Sequence, residues 1–166
     1  MKPVIAIYSG VTPSTTFIEN LIKAVAEEGC EIYLFGYSKK RAHYSNPAIK
    51  IYTHPRKKWK LVPYVLFNQL RLLFFSNDRY RKLDQHIRSK GLPSRNRLLL
   101  WLKYLPVVIN LPDVFHIQWA RNLEEWMFLK EVFGVKIVLS LRGTQVKYSP
   151  LASMELADSY RRNFPL

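Results

Sequence analysis

The sequence predicts an α/β domain in which a Rossmann-like parallel sheet is flanked by helices. First, Val4–Tyr8 (VIAIY) is an unbroken apolar run rich in branched residues, which is typical of a strand buried on both faces. Second, residues 112–145 have a strand, helix, strand pattern in little more than the roughly 30 residues of a βαβ unit. Third, 166 residues are enough for one domain with a core and too few for two of ordinary size.

The amino-terminal third follows this plan in order. After the first strand, a helix is expected to begin near Thr15 or Thr16, because Thr16 and Glu19 have the spacing of a capping box. An apolar face follows on that helix, and Gly29 stands where a helix commonly ends. Residues 31–36 predict a second strand, and the alternating residues 49–53 predict a shorter third strand near an edge of the sheet.

The remaining elements are predicted from similar signals. Residues 56–111 indicate two or three helices, with Pro63 in the first turn of the first and Pro106 late in the last. Residues 113–117 predict a strand. A helix is expected from Asn122, which has capping-box spacing to Glu125, through residue 133, with Gly134 ending it. Residues 136–141 predict the last strand, and residues 151–162 a short helix.

Cysteine and histidine usage excludes several kinds of site. Cys30 is the only cysteine, so no disulfide can form within the chain, and a reduced cytosolic setting is the simplest interpretation. The four histidines lie in separate predicted elements, and no metal-ligand spacing appears, so we expect no metal and no cofactor. The apolar part of the first ten residues is too short for a signal-peptide core.

The positive charge is concentrated in the middle of the chain. Residues 39–103 contain 17 Lys and Arg against Asp78 and Asp84, whereas the rest of the chain is close to neutral. This charge favours an anionic partner such as anionic lipid, nucleic acid or a phosphorylated ligand. The apolar runs 61–75 and 98–111 are too short to span a bilayer, but they suit helices lying in its interface.

The basic segment, residues 56–111, has three possible explanations. Its helices can lie on a membrane surface, or they can pack on the sheet with a solvated charged face. Nucleic-acid binding is less favoured because no recognised motif accompanies the charge. The residues predicted to contact a membrane are Arg56, Lys57, Lys58, Trp59, Lys60, Arg71 and Lys103.

Hydroxyl and glycine residues are clustered where the first helix begins. The amino terminus of a helix can bind phosphate through unpaired N–H groups, and the alternative is ordinary helix capping. The chain contains neither G-x-G-x-x-G nor G-x-x-x-x-G-K-[ST], so it has neither a dinucleotide fingerprint nor a P-loop. The predicted substrate-binding residues in this loop are Ser9, Gly10, Ser14, Thr15 and Thr16.

A second set of candidates follows the last two strands. Ligands of open parallel sheets bind beyond the carboxyl ends of the strands, where Gln118 and Trp119 stand after one strand. Arg142, Gly143 and Gln145 follow the next. Arginine suits bidentate contact with phosphate or carboxylate, although a surface Arg bonded to a nearby loop is the alternative. His116 is interpreted as a structural residue, and no catalytic residue is assigned.

Four segments, taken in order, resemble a known family. They are VIAIYSGVTPSTTFIENLI, EEGCEIYLFG, PDVFHIQWA and VFGVKIVLSLRGTQV. Together they resemble the amino-terminal domain of retaining, family-4 type (group 1) glycosyltransferases of the GT-B fold. The resemblance covers essentially the whole chain, which corresponds to half of a typical enzyme.

The resemblance implies a cleft between two Rossmann-like domains. The amino-terminal domain would hold the acceptor, and the absent carboxyl-terminal domain would hold the nucleotide-sugar. By position, residues 9–16 would approach the donor phosphate and sugar, and Arg142 with Gly143 would face the transferred sugar. Gln118 replaces a common His and Gln145 a common Asp, so any acid–base role at these positions is lost.

The resulting functional expectation is specific. The chain would be the acceptor-binding half of a metal-independent glycosyltransferase that acts on a glycan or lipid-linked acceptor and is inactive without the donor domain. It would lie in the cytoplasm, peripherally on the inner face of the membrane. The alternative is a non-catalytic α/β module that uses its basic face to bind anionic membrane or nucleic acid.

Overall fold

A computed structural model describes residues 2–38, 43–55, 57–141 and 153–163. All strand pairings in its sheet are parallel, which confirms the predicted Rossmann-like α/β fold. The order across the sheet is β4-β3-β1-β5-β6, and the short β2 pairs with the end of β3. The strands are β1 (Val4–Tyr8), β2 (Val11–Thr12), β3 (Glu31–Ser38), β4 (Ile49–Thr53), β5 (Val114–Ile117) and β6 (Lys136–Leu139).

Seven α-helices accompany the described part of the sheet. The basic segment forms three of them, and two 3-10 turns precede α2 and α5 (Lys58–Lys60 and Ala120–Asn122). The helices are α1 (Thr16–Glu27), α2 (Leu61–Phe75), α3 (Asn77–Ser89), α4 (Ser94–Ile109), α5 (Leu123–Trp126), α6 (Phe128–Phe133) and α7 (Met154–Asn163).

The two faces of the sheet have different chemistry because strand side chains alternate. On one face, isoleucine and leucine side chains such as Ile7, Ile32 and Leu34 pack against Ile18 and Ile22 of α1. We call this the aliphatic face. On the other, aromatic side chains of the strands pack against helices from the basic segment and against α5 and α6. We call this the aromatic face; its strand residues include Tyr8, Tyr33, Phe35, Tyr52 and Phe115.

Several predicted boundaries are confirmed by the structure. Pro63 lies in the first turn of α2, where its missing N–H has no helical partner to lose. Pro106 lies near the end of α4. Gly134 ends α6 with φ of 70°, a left-handed conformation that favours glycine. The alternating segment at 49–53 is a strand at the edge of the sheet.

Both capping-box predictions are wrong. Thr15, not Thr16, is the N-cap of α1 and makes no side-chain capping bond, and the Glu19 carboxylate accepts a 2.6 Å hydrogen bond from the Ser14 backbone N–H. Asn122 likewise makes no side-chain capping bond, and Glu125 is paired with Lys103. The single helix expected over 122–133 is a 3-10 turn followed by two short helices, α5 and α6.

The loop after β1 approaches β3 closely. The Tyr37 backbone N–H donates to the Gly10 carbonyl at 3.1 Å, and β2 continues this contact by pairing with the end of β3. Gly36 has φ of 123°, and a Cβ there would lie 2.7 Å from the Gly10 carbonyl oxygen. Only glycine fits this position, and its lack of a side chain lets the loop lie against the carboxyl edge of the sheet.

Candidate functional site

A cavity of about 310 Å³ opens at the carboxyl edge of the sheet, on the aromatic face. Its wall combines the ends of β1, β3 and β4 with one side of α4. This is the location where open parallel sheets bind ligands. The lining residues are Tyr8, Gly10, Gly36, Tyr37, Tyr52, His54, Leu99, Leu102, Lys103 and Pro106.

A charged pair, of which only Lys103 lines the cavity, lies beside Tyr8. The Lys103 Nζ atom is 2.5 Å from each carboxylate oxygen of Glu125, which joins α4 to α5. The same ammonium is 6.0 Å from the Tyr8 ring centroid and 5.7 Å from that of Trp126. Burial raises the pKa of the Tyr8 hydroxyl, and the Lys103 charge opposes this shift. Tyr8 therefore stays neutral at physiological pH and can both donate and accept hydrogen bonds.

The opposite wall is aromatic. The Tyr37 and His54 rings are 5.8 Å apart between centroids, and Tyr52 stacks on Phe35 at 5.5 Å. Burial raises the pKa of the Tyr52 hydroxyl, with a smaller contribution from Tyr33 in the same direction. This wall offers ring faces and neutral hydroxyl groups to a ligand.

The titratable side chains of the described cavity wall are three tyrosines, His54 and Lys103. Among the described residues that line it, none is Asp or Glu, so the wall itself offers no carboxylate as a general base. Glu125 does not line the cavity and is engaged by Lys103. The described residues also contain no group of three or more His, Cys, Asp or Glu side chains placed to hold a metal ion.

The hydroxyl-rich loop before α1 is largely engaged within the chain. Ser9 Oγ donates to the Val11 carbonyl at 2.7 Å, and Gly10 lines the cavity. The Ser14 N–H donates to Glu19, whose second oxygen accepts from the Tyr44 hydroxyl at 2.8 Å. The chain's own carboxylate therefore occupies the amino terminus of α1, where a phosphate is predicted. Thr15 and Thr16 are exposed there.

Of the two candidate residues after β5, Gln118 is buried and Trp119 is partly buried. Gln118 is fully buried; its backbone N–H donates to the Tyr8 carbonyl at 3.0 Å, and its side-chain amide has no partner within the described structure. Trp119 packs against the aliphatic face. His116 Nε2 is 2.8 Å from Ser140 Oγ, and burial lowers the His116 pKa, which agrees with a structural role. Arg142, Gly143 and Gln145 lie outside the described residues.

One side of α2 exposes a continuous apolar surface. Side chains three and four positions apart lie on the same side of a helix, and here the outward positions are almost all apolar. Phe74 and Phe75 are 79% and 83% exposed. We define the apolar face of α2, including the preceding turn, as Trp59, Val62, Leu66, Phe67, Leu70, Phe74 and Phe75.

Positive charges surround this apolar face. Lys57, Lys60 and Arg71 are exposed, and the Lys60 Nζ lies 5.0 Å from the Trp59 ring centroid. None of these three forms an ion pair with a described residue. The two acidic residues of α3 already form ion pairs within that helix. Asp78 pairs with Lys82 at 2.8 Å, and Asp84 pairs with Arg88 at 2.7 Å.

The structure separates the predicted membrane-contact residues. Lys57, Trp59, Lys60 and Arg71 lie on or beside the apolar face of α2, whereas Lys103 lines the cavity. Lys58 opens the 3-10 turn before α2, and Arg56 lies outside the described residues. Within the described ranges, no helix is both long enough and apolar enough to cross a bilayer.

Sequence reasoning missed most of the cavity wall. The ends of β1 and β4 provide Tyr8, Tyr52 and His54. Ligands bind beyond the carboxyl ends of parallel strands, and this holds for β1 and β4 as it does for β5 and β6. Their position in strand-ending YSG and YTH sequences was the available signal. The contribution of α4 to the wall had no signal in the sequence.

Comparison with known proteins adds no family assignment. No protein-family model matches the chain, and no curated protein or solved structure shows significant similarity to it. The glycosyltransferase resemblance therefore depends on the four quoted segments alone.

Proposed function

We propose that this chain is the acceptor-binding half of a glycosyltransferase that works on an anionic membrane surface. A donor domain would supply a nucleotide-sugar, and this half would hold a glycan or lipid-linked acceptor without catalysing transfer alone. The observation that carries the proposal is the position of the cavity. It lies at the carboxyl edge of a Rossmann-like sheet, and its α4 wall packs against α2, whose outer side is the exposed apolar face.

The chemistry of the cavity supports a binding role. Tyrosine hydroxyls and the Lys103 ammonium can hydrogen-bond the hydroxyl groups of a sugar, and the rings of Tyr37, Tyr52 and His54 can pack on its C–H faces. The lack of a carboxylate in the described wall agrees with a half that positions the acceptor while the donor half provides the remaining groups.

The apolar face of α2 supports contact with the membrane. A helix that is apolar on nearly all sides is normally buried, yet this one exposes Phe67, Phe74 and Phe75. A monomeric domain rarely exposes such a surface unless it is an interaction site. The flanking Lys57, Lys60 and Arg71 fit an anionic lipid surface, and α2 would lie in the interface on the cytoplasmic side.

Vesicle sedimentation tests the membrane part. The triple variant Phe67→Ser, Phe74→Ser, Phe75→Ser should lower partitioning onto anionic vesicles at least about tenfold, because each large apolar side chain contributes roughly 1.5–3 kcal/mol when fully buried. Lys57→Gln, Lys60→Gln and Arg71→Gln together should lower it about a hundredfold, because each charge contributes about 1 kcal/mol and about 1.4 kcal/mol corresponds to a factor of ten.

Two positions of α1 provide matched controls on the opposite face of the sheet. Phe17→Ser replaces an exposed phenylalanine and Lys23→Gln an exposed lysine. Neither should change vesicle binding. Binding that ignores lipid charge and salt, or that is lost equally in the controls, would contradict docking through α2.

A sugar-transfer assay tests the enzymatic part. The chain is assayed on acceptor-containing anionic vesicles, alone and together with a supplied carboxyl-terminal donor domain. Turnover of a nucleotide-sugar only when both halves are present supports the proposal.

The second candidate is a non-catalytic module that uses its basic face to bind membrane or nucleic acid. The exposed charges of α3 and α4 favour it, because Arg81, Lys82 and Arg95 lie away from the cavity wall. Vesicle or nucleic-acid binding without turnover in either assay would favour this candidate.

A further inference from the structure

The charge of the cavity differs from that of the surface around it. The basic segment as a whole carries a large positive charge, but only one Lys, Arg, Asp or Glu is found among the described lining residues, and that residue is Lys103. Its ammonium contacts both oxygens of Glu125. The carboxylate therefore largely neutralises the one full charge at the described wall.

Only one partner of this ion pair belongs to the cavity wall. Glu125 belongs to α5 and is not among the residues that line the cavity, whereas Lys103 belongs to α4 and lines it. Both side chains are about one-third exposed, at 35% for Lys103 and 30% for Glu125. An anion entering the cavity would have to compete with this carboxylate for the ammonium. A neutral hydroxyl group needs only a remaining N–H of the ammonium, and it leaves the ion pair intact.

The rest of the wall also fits a neutral ring. Tyr8, Tyr37 and Tyr52 carry hydroxyl groups, two of which have a pKa raised by burial and stay protonated. Tyr37 is 45% exposed beside His54, and Leu99 on α4 is 53% exposed across the cavity. Ring faces with hydroxyl groups and one shielded ammonium are suited to a pyranose rather than to a phosphate.

We propose that the cavity binds an uncharged sugar ring, and that Glu125 sets this selectivity by holding the Lys103 charge. The inference rests on the proposed function, for which it specifies the end group of the acceptor. Glu125 is a positioning residue, since it acts through Lys103. Lys103, Tyr8 and Tyr52 contact the sugar.

Ligand-detected NMR titration of the full chain tests the selectivity. The probes are a neutral methyl hexoside, the matching hexose 1-phosphate and the matching hexuronate. We expect the wild-type chain to bind the hexoside at least about fivefold more tightly than either anion. In Glu125→Gln the freed ammonium should bind both anions about tenfold more tightly, because a charge-assisted hydrogen bond is roughly twice as strong as a neutral one.

Two further variants keep the test falsifiable. Glu131→Gln removes an exposed carboxylate from the neighbouring α6 and should leave selectivity unchanged. If Glu125→Gln melts early, the double variant Lys103→Met, Glu125→Gln removes the pair without leaving a lone charge. That variant should lose hexoside binding and gain none for the anions.

The outcomes separate this inference from the proposed function. A wild-type chain that prefers the phosphate or uronate, or a folded Glu125→Gln with unchanged selectivity, would overturn the inference even if sugar transfer is observed. Neutral-sugar selectivity that reverses in Glu125→Gln supports the inference, and this binding readout stands even when transfer assays show no turnover.

Discussion

The two faces of the sheet are built from different side chains, and the helices that cover them expose different kinds of residue to solvent. On the aliphatic face, α1 buries Ile18, Ile22 and Ala26 and turns polar residues such as Lys23 to solvent. On the aromatic face, Trp126, Tyr104 and Phe115 form the core, yet the outer side of α2 is almost as apolar as its inner side. The first arrangement is explained by folding alone. The second arrangement leaves the apolar face of α2 exposed, which folding of the domain does not require. We therefore place the proposed membrane contact on this face.

The largest expected effect is loss of the aromatic core. Trp126 is fully buried and contacts the rings of Tyr8, Tyr104 and Phe115 at centroid distances of 4.8, 5.2 and 4.8 Å. Trp126→Ala should lower the free energy of unfolding by about 3–5 kcal/mol, because it leaves a large cavity. Denaturant titration measures this change. A loss below that of Ile18→Ala would show that the aromatic face is not the dominant core.

The aliphatic face is tested by Ile18→Ala. Ile18 is fully buried between α1 and the sheet, and its truncation should lower the free energy of unfolding by about 2–5 kcal/mol. The same denaturant titration applies. Exposed Thr16→Ala on the first turn of α1 is the control, and we expect it to change stability little because Thr15, not Thr16, is the N-cap.

The third prediction concerns pH, since each face contains a partly buried histidine. His86 stacks on Phe128 at 4.2 Å, and its pKa is lowered by burial and then by Lys90; the pKa of His116 is lowered by burial. In the unfolded chain both return towards 6.5, so the unfolded chain binds more protons there. The free energy of unfolding is therefore highest above about pH 6.5. It falls as the pH approaches the lowered pKa values that the two histidines have in the folded chain.

The melting temperature measured between about pH 8 and about pH 5 checks this dependence, because that range includes the ordinary histidine pKa of about 6.5. His86→Gln and His116→Gln should each flatten the profile, and the double variant should flatten it further. A profile unchanged in both single variants would assign the acid sensitivity to other groups.

The smallest expected stability effect is at the apolar face of α2. Phe74 is 79% exposed, so Phe74→Ala should change the free energy of unfolding by no more than about 0.5 kcal/mol. A loss close to that of Ile18→Ala would mean that this face is buried in solution. Light scattering at two protein concentrations would then show self-association, and the contrast between the two faces would disappear.

Much of the fold followed from local patterns. The apolar runs at β1 and β3 and the alternating β4 predicted strands, because side chains alternate along an extended chain. Gly134 predicted the end of α6, since a left-handed residue is easiest for glycine. The Glu19 and Glu125 predictions were wrong because carboxylates have partners outside their own helix. Glu19 reaches Ser14 and Tyr44, and Glu125 reaches Lys103.

The candidate site was predicted only in part. The sequence indicated the carboxyl edge of the sheet and Gly10, but it grouped Lys103 with the surface charges, because charge density does not reveal which lysine turns inward. Tyr8 and Tyr52 were read as strand residues. Their meeting depends on β3 lying between β1 and β4, a neighbour relationship that only the sheet order reveals.

By itself, the sequence determined the α/β class, the parallel strands and the concentration of positive charge in residues 39–103, because these depend on local periodicity and composition. The tertiary structure decided which residues form the cavity and which side of α2 faces outward. A helix that is apolar on nearly all sides contains no signal for its buried side, and the pairing of Lys103 with Glu125 joins residues 22 positions apart. Such choices depend on how helices pack on a sheet, which no local pattern encodes.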